Sequence, residues 1–250
     1  RWEQDPSLLP RETYWQLLYD LGTAYQRLDQ EEKARAAWEK LLSQDPAPKY
    51  RELVQRQEFD LNGTVEKLNQ IDDPGTLLQE GIRLFKQGVD GNPGAARAAH
   101  QALKRASQLD PENPDIQAYY GSSIALLGRD TTDPGAMFDH AIRGLRILNR
   151  AVNRDPGNPH YRVLRAYLTY SLPESFFHLT EGAVEDFRFA IDAYEQNRSL
   201  FPPEFYWKML YDLGAAYERI GQKENARQTW SNLLAQTDRP IYQTMLKNKV

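Results

Sequence analysis

Apolar side chains between Tyr14 and Leu42 recur at spacings of three and four, first through Tyr14, Leu18, Leu21 and Tyr25, then through Ala34, Trp38 and Leu42. That period places each set on one face of a helix, so the segment reads as two amphipathic helices joined by a short polar turn. The order returns between Tyr206 and Leu234, where 17 of 29 positions are identical at an offset of 192 residues. A helical hairpin used twice is the first expectation.

The middle of the chain uses the same grammar with insertions. Asp110-Pro111-Glu112-Asn113-Pro114 and Asp155-Pro156-Gly157-Asn158-Pro159 stand 45 residues apart. Each reads as a helix stop, an Asn N-cap and a Pro at the first helical position. Between them the pattern predicts one helix pair whose second member is long, starting after Asp133 and carrying Phe138, Ala141, Leu145, Leu148 and Val152 on one face. His160 to Ser171 and Glu181 to Asn197 read as a further pair, and Thr76 to Lys86 with Ala95 to Leu109 as another. The Gly-rich run Gly88–Gly94 is expected to be a flexible connection; it lacks the Gly-Lys-Ser/Thr ending and the preceding strand of a phosphate-binding loop. Residues 57–75 have the weakest period, with Asn62-Gly63 and Asp72-Asp73-Pro74-Gly75 expected as turns.

Small and aromatic positions inside the two similar segments are specific. The first has Leu21, Gly22, Tyr25, Ala34, Trp38 and Pro46; the second has Leu213, Gly214, Tyr217, Ala226 and Trp230, with Asp238 at the Pro position and Pro240 two residues later. This order resembles the tetratricopeptide repeat, although Leu18 and Leu210 stand where the family has a first-helix Trp. Ala183 and Phe187 fit the second-helix pattern, while Arg165-Ala166 replaces Leu-Gly in the preceding helix. The resemblance implies an all-α fold, an α-solenoid of about ten to twelve helices in antiparallel pairs wound as a right-handed superhelix, some of them lengthened. Residues 1–56 are expected to hold one helix pair, 57–75 a boundary or linker helix, and 76–250 about four pairs. The offset further suggests that 1–56 is the tail of one copy of a larger duplicated unit, since Leu9-Pro10 and Glu12 align with Phe201-Pro202 and Glu204. Leu18, Leu21, Tyr25, Ala34, Trp38, Leu210, Leu213, Tyr217, Ala226 and Trp230 are the expected core.

Composition narrows the function. A net charge of -4 with Lys and Arg interleaved among Asp and Glu gives no basic stripe for nucleic acid. No run approaches the roughly 20 apolar residues of a membrane-spanning helix, so membrane insertion is not expected. Without Cys there is no disulfide framework or thiol chemistry. Beginning at Arg1 rather than Met, the chain reads as a processed one, cytoplasmic or, after loss of a signal peptide, periplasmic. His100, His140, His160 and His178 are far apart and show no metal-ligand spacing, and adjacent Glu185 and Asp186 are expected to face solvent. No catalytic residue, cofactor or metal is expected.

What the resemblance implies instead is a scaffold that binds a protein or peptide on a concave surface lined by first helices. Some family members grip a C-terminal carboxylate with a Lys and Asn clamp; the matching positions are Tyr19 and Thr23 in one copy, Tyr211 and Ala215 in the other, so that clamp is absent. Candidate contact residues are Tyr19, Thr23, Arg27, Tyr211 and Arg219 on first helices. To these the aromatic stretch 167–179 adds Tyr167, Tyr170, Phe176 and Phe177, of which one Phe is expected to plug the hairpin; either all these rings pack the wider space left by the longer preceding helix, or the other Phe stays exposed beside Tyr167 and Tyr170 as an anchor. The alternative is a structural protein that forms homo-oligomers through its terminal repeats.

Overall fold

The computed structural model describes residues 9–28, 30–57 and 61–250, without the side chains of residues 27, 31, 55–57 and 62. Among these it contains fourteen α-helices and no strand. The count exceeds the expected ten to twelve because four short helices, described below, lie outside the pairs. The chain divides into two compact units.

The first unit runs to Glu112 and also takes in Ser123–Ile142. Helices α1 (Arg11–Arg27) and α2 (Glu31–Leu42) form the first hairpin, and α3 (Pro48–Gln57) packs on both. Their core is Tyr14, Leu18, Ala34, Trp38, Leu41, Tyr50 and Val54. Leu21 and Tyr25 are only half-buried, against expectation, because among the described residues α1 is packed mainly by α2 and α3. Next come α4 (Leu61–Asn69), α5 (Pro74–Val89) and α6 (Pro93–Leu109). Asn62-Gly63 lies inside α4 rather than in a turn; one Gly lowers helix propensity by about 1 kcal/mol, which packing of α4 on α6 offsets. The Gly88–Gly94 run is likewise mostly helical: only Asp90, Gly91 and Asn92 connect α5 to α6, Asn92 accepts from the Ala95 N–H as N-cap, and Gly91 takes φ +102°, open chiefly to glycine. Gly88 belongs to the helix packing, since a Cβ there would come within 2.9 Å of Ala96. The Ala-rich face of α6 allows that approach. The C-terminal part of α7 (Pro114–Asp130) and the N-terminal part of α8 (Pro134–Arg154) complete this unit, with Gly128 tight against His140.

The second unit comprises Asn113–Ser122 and Arg143–Val250. The long second helix expected from the 45-residue spacing is α8, 21 residues, and Asp133 caps it by accepting from the Gly135 N–H. Helices α9 (Pro159–Ser171) and α11 (Thr180–Gln196) are one pair, α12 (Pro203–Arg219) and α13 (Lys223–Gln236) the next, followed by α14 (Pro240–Leu246). The short α10 (Glu174–Phe177) links α9 to α11. Ala183, Phe187, Met209, Leu210, Ala216, Ala226 and Trp230 form the core, with α11 against α12 burying Leu213 and Tyr217 as well.

The two similar hairpins share a bond that explains their Gly and Trp. Trp38 Nε1 donates to the Tyr19 carbonyl at 3.3 Å, and Trp230 Nε1 to the Tyr211 carbonyl at 3.0 Å. The indole then lies flat over Gly22 or Gly214, where any Cβ would overlap it. The likeness extends further than the hairpin: α3 begins at Pro48 and α14 at Pro240, again 192 residues apart, so Pro240 is aligned with Pro48 rather than displaced from Pro46.

Candidate binding surface

Helix α9 begins where the Asn158 side chain accepts from the His160 N–H, followed by Pro159 at the first position. Its phase buries Tyr161, Val163, Ala166 and Leu168 and leaves Tyr167 and Tyr170 half-exposed. Both rings lean on Phe187 of α11, with centroids 5.0 and 6.2 Å away in edge-on geometry. From α12, Phe205 approaches Tyr167 with centroids 6.0 Å apart. The outer stripe of α12 then carries Trp207, Lys208, Tyr211, Asp212 and Arg219 past the same rings.

Cations sit on the tyrosine faces. The Arg219 guanidinium lies 3.8 Å from the Tyr170 ring centroid and donates to the Tyr170 carbonyl at 2.5 Å. Lys208 Nζ lies 4.5 Å over Tyr167 and 2.5 Å from Asp212 Oδ2. Burial, then the Asp212 charge and its hydrogen bond, holds the Tyr167 phenol well above its ordinary range. Tyr170 is raised chiefly by burial, with Arg219 acting in the opposite sense. Tyr211 meets Tyr242 of α14 at 6.1 Å between centroids.

At one edge, α10 is held by Glu174, whose carboxylate accepts from Thr180 N at 2.9 Å and Thr180 Oγ1 at 2.5 Å and so caps α11. These two bonds, the hydroxyl first, depress the Glu174 acid, and His178 and Arg219 add to the effect. The left-handed His178 closes the link. Phe176 is 68 % exposed and Phe177 half-exposed, their rings edge to face at 5.1 Å. Neither Phe plugs the hairpin as expected, since α10 has no buried residue; Phe187 fills that core instead.

The sequence candidates therefore divide. Tyr167, Tyr170, Tyr211 and Arg219 lie together on the first helices α9 and α12, and Phe176 and Phe177 follow on α10. Tyr19 and Thr23 lie on α1 in the other unit, half-buried, with Thr23 Oγ1 donating to the Tyr19 carbonyl. The Arg27 side chain is outside the described residues. Pattern reading missed Lys208, Asp212 and Tyr242; the i,i+4 spacing of Lys208 and Asp212 was the available signal.

A second correction concerns Asp186. Far from facing solvent, it is 1 % exposed and accepts from Arg162 Nη1 at 2.7 Å, Arg165 Nε at 2.6 Å and Arg165 Nη2 at 2.9 Å. Arg165, which replaces the family's Leu, thus meets a carboxylate on the facing helix and also donates to Asn149. Glu185 alone is exposed.

Among the described residues no group of three or more acidic or His side chains is placed to hold a metal, and no helix is long and apolar enough to cross a membrane.

The sequence profile of the tetratricopeptide repeat matches residues 16–47 and 209–236, the two hairpins that share the indole bond. The chain carries two tetratricopeptide repeats. Its fold is similar to that of TTC0263, a thermophilic tetratricopeptide-repeat protein of Thermus thermophilus, at 14 % identity and TM-score 0.52, covering 94 % of this chain and 98 % of that one. The MamA protein is a more distant match, 17 % identical with TM-score 0.42 over 89 % of this chain and 91 % of its own. No curated protein sequence matches. Tetratricopeptide repeats are, in general terms, a protein-interaction scaffold, and the aromatic surface on α9 and α12 lies on the first helices of two successive pairs.

Proposed function

We propose that the chain binds a protein or peptide through the first-helix surface of its second unit, with Tyr167, Tyr170, Tyr211 and Arg219 as the contact area and Phe176 and Phe177 as its rim. The observation that carries this reading is the gathering of three half-exposed tyrosines and an Arg from two helices, beside a Phe that is 68 % exposed. Tyr supplies large contact area at small ordering cost, Tyr and Arg are both enriched among residues that dominate interface energetics, and the short helix α10 holds a large apolar ring out where a partner can reach it. The partner segment is not a C-terminal carboxylate ligand of the Lys and Asn clamp type, because Tyr211 and Ala215 occupy those positions.

Selection of peptides from a random library on the chain, followed by affinity measurement, tests the reading. Tyr211→Ala and Phe176→Ala are expected to weaken the selected peptides by roughly tenfold or more each, as truncation of interface aromatics does. Arg227→Ala, on the exposed face of second helix α13, is the control expected to change nothing. Equal affinity for all three variants sinks the assignment.

A second reading, self-association, is favoured by α14 and the residues after it, where Ile241, Met245 and Val250 are exposed. Light scattering over a concentration series separates the two: a mass that stays that of a monomer removes self-assembly.

A further inference from the structure

The binding-face reading says where a partner docks; the surroundings of Asp212 indicate what docks there. The Asp212 side chain is only 13 % exposed, whereas the Lys208 side chain paired with it is 54 % exposed. Lys208 reaches over Tyr167 and also donates to the Tyr167 hydroxyl at 3.4 Å. Burial raises the Tyr170 and Tyr242 phenols, the Asp212 charge adds to both, and Tyr211 stands against Tyr242. One largely buried carboxylate thus lies within electrostatic reach of tyrosines on three helices, beside an ammonium that stays half in water.

The first hairpin supplies an internal comparison. At the offset of 192 residues Lys208 corresponds to Gln16, Asp212 to Asp20, Tyr211 to Tyr19 and Tyr242 to Tyr50. There Gln16 Nε2 donates to Asp20 Oδ1 at 2.9 Å, and both residues are exposed, so an amide stands where the second hairpin has an ammonium. At Asp212 the preceding first helix α9 adds Tyr167, whose ring lies under the Lys208 ammonium.

Two physical facts then act against each other. A carboxylate that is largely withdrawn from water needs a cation or strong donors, because desolvating an unpaired charge is expensive. The Lys208 end of the pair is 54 % exposed and lies N-terminal to its acid, the poorer order for an i,i+4 pair on a helix, so the hold on Lys208 is worth about 1 kcal/mol and it leaves readily. A cation over tyrosine rings gains in addition from the ring quadrupoles. An acidic partner gains little here, since Lys208 is matched by Asp212 and Arg219 is engaged with Tyr170.

We infer that Asp212, with Tyr167 and the neighbouring Tyr170, Tyr211 and Tyr242, is a receptor for a basic side chain of the partner, and that Lys208 occupies it as an internal stand-in until the partner displaces it. This rests on the binding-face reading above and adds the chemical class of the anchor residue.

The test is an NMR titration of the whole chain with an acetylated, amidated pentapeptide carrying one central Lys among Ala, beside the same peptide with norleucine. Removing an internal competitor held by about 1 kcal/mol raises apparent affinity roughly fivefold. The K208A variant is accordingly expected to bind the Lys peptide about fivefold tighter than wild type, with shifts centred on Tyr167, Tyr211 and Tyr242 and none at Asp20. The norleucine peptide is expected not to bind, and D212N to lose binding in both backgrounds. Should D212N fail to keep its helical circular dichroism, the Lys against norleucine contrast in K208A decides alone. The inference is overturned if K208A binds the Lys peptide no tighter than wild type, if it shows no binding, or if norleucine serves equally well. Library peptides that depend on Tyr211 yet ignore K208A would retire the cation receptor and leave the binding face standing.

Discussion

Removing the Asp186 carboxylate is the perturbation with the largest expected effect on stability outside the apolar core. Asp186→Ala leaves the guanidinium groups of Arg162 and Arg165 facing each other, each 21 % exposed, around a space lined by α9 and α11. Breaking a buried ion pair by deleting one partner costs about 3–5 kcal/mol. Both Arg side chains keep a second bond, Arg162 Nε to the Pro156 carbonyl at 3.1 Å and Arg165 Nη1 to Asn149 Oδ1 at 3.2 Å, and both reach some water. The expected loss therefore lies near the lower limit, about 3 kcal/mol. In a unit of this size that corresponds to a fall in melting temperature of roughly 10 °C. Urea unfolding followed by circular dichroism at 222 nm measures it. A double-mutant cycle adds a sharper test: Arg165 makes two of the three bonds to Asp186 and Arg162 one, so coupling to Arg165 is expected to be the larger. An Asp186→Ala protein within about 1 kcal/mol of wild type, or stronger coupling to Arg162, refutes the reasoning.

Trp230→Ala removes a ring only 2 % exposed together with its bond to the Tyr211 carbonyl, and is expected to destabilise by about 3–5 kcal/mol in the same urea assay. Gly214→Ala forces a Cβ into that ring and is expected to cost about 1–3 kcal/mol, with a parallel effect of Gly22→Ala against Trp38. Burial and the hydrogen bond to Glu195 push Tyr206 up to about 12, so stability is expected to fall between pH 10 and about 12 as the unfolded phenol ionises and the folded one does not; Tyr206→Phe removes that step from a spectrophotometric titration. Glu174 is depressed below 4.5, so its cap on Thr180 stabilises fully above that pH and is lost as pH falls through the lowered value. Hydrogen exchange at Thr180–Ala183 is expected to accelerate in acid, and Glu174→Gln to show the faster exchange already at neutral pH.

Those parts of the fold set by local chemistry were legible in the sequence. Asn158 before Pro159 and Asp133 before Pro134 mark helix starts through bonds that span two residues, and the 3.6 period places Ala183 and Phe187 in the core without knowledge of any partner. What escaped depends on residues distant in sequence. Asp186 reads as a solvated charge until α9 brings Arg165 from 21 positions away. Asp212 looks like an ordinary surface acid until α9 brings Tyr167 to it from 45 positions away. Gly-rich segments misled for the opposite reason: Asn62-Gly63 and Gly88 have turn propensity, but packing of α4 and α5 on α6 overrides it. Of the candidate site, the tyrosines of α9 and α12 were visible as aromatics at first-helix positions, whereas their pairing with Lys208 and Arg219 required the geometry.

The central claim is that the first-helix surface of the second unit is the binding face. Hydrogen–deuterium exchange of the chain with and without a library-selected peptide measures it most directly, because backbone protection reports where the ligand sits. The account predicts new protection concentrated in residues 167–177 and 204–219, with α13 unchanged. Protection confined to α13, or to α1 and α2, contradicts it.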